Sequence, residues 1–203
     1  MERSGLYGFL ATAFRTEPNR AMIEAVESPA FQDAFGDVFE PGREDGLVEE
    51  LAVEFAALFL GPGGHISPHE SVHVKEGGRL LGKAAVSVKN DIEACGFDYT
   101  ADCNVLPDHI SVELDFMAEV TRQESVAWRN MEIDKVRNCL EFEEEFSANH
   151  LRRWVPEFCN AVVARAELPF YRRIAQITRD FVQEEQREIE ALSSRAVSPD
   201  IVK

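Results

Sequence analysis

Leu106-Pro107-Asp108-His109-Ile110-Ser111-Val112-Glu113-Leu114-Asp115-Phe116-Met117 is the stretch whose reading decides the fold. A proline, an acid and a histidine stand ahead of apolar residues at helical spacing. Pro107 suits the first helical position, because its missing N–H has no intrahelical partner there and its φ already matches the first turn. Asp108 then falls among free backbone N–H groups at the positive end of the helix dipole. The same field disfavours a second proton on His109, so a neutral imidazole is expected. Ile110, Leu114 and Met117 mark one apolar stripe and Val112, Phe116 and Val120 another. A helix from Pro107 to about Trp128 with so much apolar circumference belongs at the centre of the molecule. Glu113, an acid among these residues, needs solvent, a partner or a polar groove.

On either side the same period recurs. Leu6, Leu10, Ala13 and Phe14 mark a first helix, and a short one follows from about Arg20 to Glu27, before Ser28-Pro29. Phe31, Phe35 and Phe39 make another amphipathic segment. From Glu44 to Leu60 the residues Leu47, Leu51, Phe55, Leu58 and Phe59 share one broad face, stopped by Gly61-Pro62-Gly63-Gly64. A long loop is expected from Gly61 to about Gly78, packed onto the body through Ile66, Val72 and Val74, and is the expected hinge or exchange point. A helix of about Leu80 to Cys95 ends at Gly96, a suitable left-handed cap. The loop from Phe97 to Leu106 brings Asp98 and Asp102 near Asp108 as an acidic rim. Beyond Arg129-Asn130, a helix from about Ile133 to Arg153 carries Glu141, Glu143, Glu144 and Glu145, read as a solvated face. Pro156 is expected to break or restart the helix, with Val155 biased toward extended geometry. Phe170, Ile174, Ile177 and Phe181 define the last helix, and Ser193 to Lys203 reads as frayed. Strand-like alternation is short and isolated. The expectation is an all-α bundle of about eight to ten helices, one domain over residues 1–203, with two lobes at about 1–100 and 101–195 as an option.

The 203 residues suffice for a core without metal or disulfide staples. Lys and Arg number 21 against 37 Asp and Glu, a net charge of −16, which disfavours nucleic acid and anionic lipid as partners and favours basic ones. Cys95, Cys103, Cys139 and Cys159 form no Cys-x-x-Cys pair and read as buried free thiols of a reducing compartment. Neither a basic leader nor an eighteen-residue apolar run occurs, so the cytoplasm is the expected location.

The quoted stretch resembles the signature of the TorD/DmsD family, cytoplasmic chaperones that mature molybdenum-containing redox enzymes. Two further blocks match in order. Glu54-Phe55-Ala56-Ala57-Leu58-Phe59-Leu60-Gly61-Pro62 and Pro68-His69-Glu70-Ser71-Val72-His73 lie upstream, and Phe146, His150-Leu151, Trp154, Pro156, Phe158 and Phe170-Tyr171 lie downstream. Phe55, His69 and His73 depart from the Trp or Tyr that many relatives carry, so no relative's particular client transfers. The resemblance implies a non-enzymatic, all-helical protein that holds an apo-molybdoenzyme, its twin-arginine signal peptide, or both, until the molybdopterin cofactor has been inserted, delaying export. Monomer and loop-exchanged dimer both remain open.

A peptide site is expected in which Phe55, Leu58 and Phe59 border an apolar cleft. Pro68, His69 and Ser71 shape its loop wall, and Asp108, His109 and Glu113 supply the polar end. Burying one peptide leucine stabilises by roughly 1.5–3 kcal/mol, whereas an exposed arginine–carboxylate pair contributes about 0–1. Leucines should therefore dominate affinity and acids orientation and encounter rate. No bound cofactor and no metal are expected, since Pro68 and Gly63-Gly64 oppose the helix that would align His65, His69 and His73. Two alternatives are a helical metal-dependent phosphohydrolase using Asp108 and His109, and a structural accessory subunit.

Overall fold

In the computed structural model, residues 2–36, 38–39, 46–61, 64–74, 82–97 and 105–197 are described. Helices α1 (Arg3–Arg15), α2 (Arg20–Glu27), α3 (Pro29–Phe35), α4 (Leu47–Phe55) and α5 (Glu70–His73) form the first half. Helices α6 (Lys83–Ala94), α7 (Ile110–Arg129), α8 (Ile133–Phe146), α9 (Arg152–Arg165) and α10 (Pro169–Val197) complete the order. The protein is all-α, as the periodicity indicates; among the described residues the β pairing is one isolated bridge, His69 with His109.

Local chemistry sets several ends where the sequence puts them. The Asn19 side chain accepts from the Met22 N–H at 3.0 Å and caps α2. Gly96 ends α6 with φ of 81°, a conformation that disfavours any side chain. Other ends shift. A π-helical turn, Ala56–Leu60, extends α4 to Gly61, and a second, Ser147–Leu151, joins α8 to α9 without a break. At the second turn the Arg152 N–H reaches back to Ser147 O, moving the hydrogen-bond register just ahead of Pro156. Pro156 therefore stays inside α9 and Val155 is helical and fully buried, correcting the expected break. The last helix runs to Val197, past the expected fraying at Ser193. The Gly61–Gly78 connection is not irregular throughout, because α5 lies within it. It is tied to the body by the Ile66 N–H on Leu58 O at 2.7 Å and by buried Val74. The expected residues 75–81 and the Asp98–Asp102 rim, with Cys103, fall outside the described residues.

The core is layered around α7. Helix α1 packs along it on one side and α8 on another, while α9 and α10 pair with each other. Ile110, Leu114 and Met117 are fully buried, and one apolar cluster continues from them through Tyr7, Leu10 and Phe14 to Trp154, Phe158 and Tyr171. No helix among the described residues is long and apolar enough to cross a membrane.

A charged knot fastens four helices together. The Arg3 guanidinium donates to Glu185 through Nε at 3.0 Å, to Glu124 at 3.0 Å and to Glu143 at 2.6 Å. The Tyr7 hydroxyl adds a donor to Glu185 at 3.1 Å, and Trp128 Nε1 donates to Glu124. Glu143 is fully buried here, which corrects its reading as part of a solvated face. The periodicity of α8 places it on the side turned to α1 and α10, where one arginine serves three acids.

Candidate functional site

Residues 68–70 and 108–110 run antiparallel. The Glu70 N–H donates to Asp108 O and the Ile110 N–H to Pro68 O, each at 2.9 Å. This brings Pro68, His69, Ser71, Asp108 and His109 together, with the His69 and His109 rings edge to face at 5.0 Å. What each does differs from expectation. Asp108 stands ahead of α7 and its Oδ2 accepts from the Ser71 N–H at 3.0 Å, so it caps α5 from across the chain. His109, not Pro107, marks the start of α7: it is the N-cap, with Nδ1 accepting from the Ser111 N–H at 3.1 Å. Nδ1 must then be unprotonated, and the neutral ring carries its proton on Nε2. Burial, reinforced by His69 and Arg15, depresses the His109 pKa to about 3. The neutral imidazole thus owes more to desolvation than to the helix dipole.

This corner is turned inward. Asp108 and Glu113 are fully buried, Ser71 nearly so, and Pro68 is buried too. Trp154 Nε1 donates to Glu113 Oε2 at 3.1 Å. Burial, then the charge of Glu70, pushes the Glu113 carboxyl well above its ordinary range, favouring the neutral acid rather than an anion for arginine. Glu70, fully buried, is held by His150 Nδ1 at 2.8 Å, and His150 Nε2 reaches Asp91 at 2.8 Å. Burial opposes a charge on His150, but its bonds to Glu70 and Asp91 prevail and raise its pKa. His73 stacks on Trp154 at 5.3 Å while its Nε2 bonds Ser67 O at 2.7 Å.

Phe55, Leu58 and Phe59 are core residues at 4, 2 and 4 % exposure. Phe59 meets Phe14, Phe158 and Tyr171 with ring centroids 5.7–6.2 Å apart. The apolar face of α4 is thus satisfied by the molecule's own aromatics. Among the nine candidates, Leu58 alone lines a groove of about 670 Å³ between α4, its π-turn and the α9–α10 connection. Pro68, His69, Ser71, Asp108, His109 and Glu113 are not among its lining residues.

The groove is lined by Val53, Ala57, Leu58 and Leu168 together with Glu49, Glu50, Glu54 and Glu167, with Arg165 as the cation among its lining residues. Glu54 is positioned by its register on α4, between Leu51 and Leu58 on the buried face. Its Oε1 accepts from the Glu167 and Leu168 N–H groups at 2.6 and 2.7 Å, satisfying donors left free ahead of α10. Sequence reasoning missed Glu54, although the signal existed: an acid inside an apolar helical stripe, as at Glu113. A second pocket of about 320 Å³ lies where Cys95, Cys139, Phe97 and Phe142 meet. Cys95 and Cys139 are half-buried free thiols pushed up by burial to about 12 and about 11, and Cys159 is buried and free. Both pocket thiols are therefore protonated and poorly nucleophilic near neutrality. Among the described residues, no three His, Cys, Asp or Glu side chains are grouped to hold a metal ion.

A family model described as nitrate reductase delta subunit matches residues 20–160. A chaperone protein TorD from Photobacterium profundum is 32 % identical over 144 residues, covering 70 % of this chain and 64 % of that protein. A chaperone protein TorD from Vibrio cholerae is 24 % identical over 209 residues, covering 94 % of this chain and 93 % of that one. Among solved structures, a putative redox enzyme maturation protein from Archaeoglobus fulgidus shares the fold, with a TM-score of 0.56 and 22 % identity. It aligns over 90 % of this chain and 94 % of its own.

Proposed function

The chain belongs to the nitrate reductase delta subunit family, which takes in the TorD maturation chaperones, and from that membership we propose that it is a chaperone for a molybdenum-containing redox enzyme. It holds the apo-enzyme, its twin-arginine signal peptide, or both, in the cytoplasm until molybdopterin is inserted, and so delays export. The observation that carries this reading beyond membership is the groove beside α4, an open apolar surface edged by carboxylates on an acidic protein. A peptide with arginines ahead of an apolar run matches it in both respects, with leucine burial supplying affinity and the acids orientation.

The site assignments change accordingly. Leu58, at 2 % exposure, backs the groove from the core. Phe55 and Phe59 support it from the core beneath, and Pro68, His69, Ser71, Asp108, His109 and Glu113 fix the α5–α7 junction. The phosphohydrolase alternative lacks a ligand set: among the described residues Asp108 and His109 are joined by no third His, Cys, Asp or Glu grouped to hold a metal, and His109 Nδ1 caps α7. The structural-subunit alternative differs in its preferred partner. Immobilised protein should capture the cofactor-free precursor and release it once the cofactor is loaded. Equal capture of both forms would favour the accessory subunit, and capture of neither would remove the chaperone reading.

A further inference from the structure

Both ring nitrogens of buried His150 face carboxylates, Nδ1 that of Glu70 on α5 and Nε2 that of Asp91 on α6, each at 2.8 Å. An ionised carboxylate only accepts, and a neutral imidazole has one N–H to give. Both bonds therefore exist together only in the imidazolium. Further charged groups surround this ring. Arg153 of α9 lies 3.8 Å from the second Glu70 oxygen, and Glu113 of α7 feels the charges of Glu70 and Asp108. Glu145 of α8 lines a cleft together with Asp91, and the Phe146 ring stands 4.7 Å from the His150 ring. Burial opposes the imidazolium, while the bonds to Glu70 and then Asp91 raise its pKa above the ordinary 6.5.

Once the ring is neutral, one N–H remains for two acceptors. Glu70 is fully buried and has no solvent to turn to, so the proton stays on Nδ1; Asp91 is half-exposed and rehydrates. The bond lost is the one that ties α6 to the π-turn between α8 and α9. Little else of α6 is deeply held, since the side chains it buries are Ala84, Ala85, Val88 and Ile92, a small apolar area for twelve residues. Beneath its last turns lies a cleft of about 80 Å³ lined by Phe116, Phe142 and Phe146, and Phe97, just past Gly96, sets its ring 5.8 Å from Phe116. We infer that α6 is a proton-operated flap: protonated His150 clips it to the body, and loss of the Nε2 proton frees its C-terminal turns and uncovers the Phe116–Phe146 wall. The clip is complete below the unfolded histidine value and is lost as pH rises through the higher folded-state value.

Amide hydrogen exchange of the full chain from pH 6 to pH 9, corrected for the intrinsic rate at each pH, reads the clip directly. Protection of residues 88–95 should fall about tenfold across the His150 titration, the lower end of what a charge-assisted hydrogen bond supplies. Residues 110–120 of α7 should keep their protection, and His150 followed by NMR should titrate above 6.5. Asp91→Ala, at a half-exposed position, removes the clip at every pH, so its α6 should exchange at pH 6 as fast as wild-type α6 does at pH 9. The Asp91→Asn amide can accept from the imidazolium or donate to the neutral ring, so its α6 protection should stay flat over the whole range. Flat protection in the wild type overturns the flap, and so does a His150 titration at or below 6.5. A wild-type fall that persists unchanged in both Asp91→Ala and Asp91→Asn overturns it as well.

Discussion

Replacing Glu143 by glutamine should make the protein more stable above neutral pH while changing little in mild acid. Glu143 is fully buried against Glu124 and Glu185, with Arg3 as their shared cation. Burial, partly offset by Arg3, raises its pKa from 4.5 to about 7. The folded state therefore binds this proton more tightly than the unfolded chain. The stabilisation is fully present below the unfolded value near 4.5 and is lost as pH rises through about 7. A difference of roughly 2.5 units at 1.36 kcal/mol each is about 3 kcal/mol, or roughly 6–12 °C in Tm for a domain of this size. Tyr7 and Cys139 also feel the charge on Glu143, and Glu124 that on Glu188, so the informative quantity is the difference between wild type and variant. Thermal melts followed by circular dichroism from pH 4 to pH 8.5 at fixed ionic strength should show the two proteins closest at the acid end, separating between about pH 4.5 and pH 7, and holding their final offset above that. Parallel curves, offset by a constant amount, would refute the buried-proton argument.

His150→Ala removes the hydrogen-bond donor to fully buried Glu70, leaving it Arg153 at 3.8 Å, and should cost about 3–5 kcal/mol at pH 6. Because the folded-state pKa of His150 is raised, its contribution is lost as pH rises through that value, so urea unfolding at pH 9 should show a smaller deficit. Asp108→Ala should destabilise by about 0.5–2 kcal/mol through loss of the α5 cap and speed exchange of the Ser71 amide, while peptide affinity of the folded protein stays unchanged. Phe59→Ala should cost about 3–5 kcal/mol in urea unfolding, because the ring sits among Phe14, Phe158 and Tyr171.

Helical periodicity alone carries the all-α architecture, and the α2 boundaries and the Gly96 cap follow from side-chain chemistry within a few residues of each. The α5–α7 junction is legible as a cluster of residues but not as a function. Asp108 and Ser71 are 37 positions apart in the chain, so no local pattern reveals that one caps the other's helix. Phe55 and Phe59 show the converse limit: an apolar stripe reads the same whether its partner is the molecule's own core or a client peptide. Glu143 looks like one acid in a run of acids, and only packing against Arg3, 140 positions away, separates it from solvated neighbours. Pro156 stays helical because the π-turn before it shifts the register, a rearrangement that intrinsic propensity does not encode.

The central claim is that the client rests on the acid-edged face of α4 rather than at the Asp108 corner. Amide hydrogen exchange of the chain with and without the cofactor-free precursor separates these two places directly. Protection should rise at residues 49–60 and 165–168, with residues 69–73 and 108–111 unchanged. Protection confined to residues 69–73 and 108–111 would contradict the account.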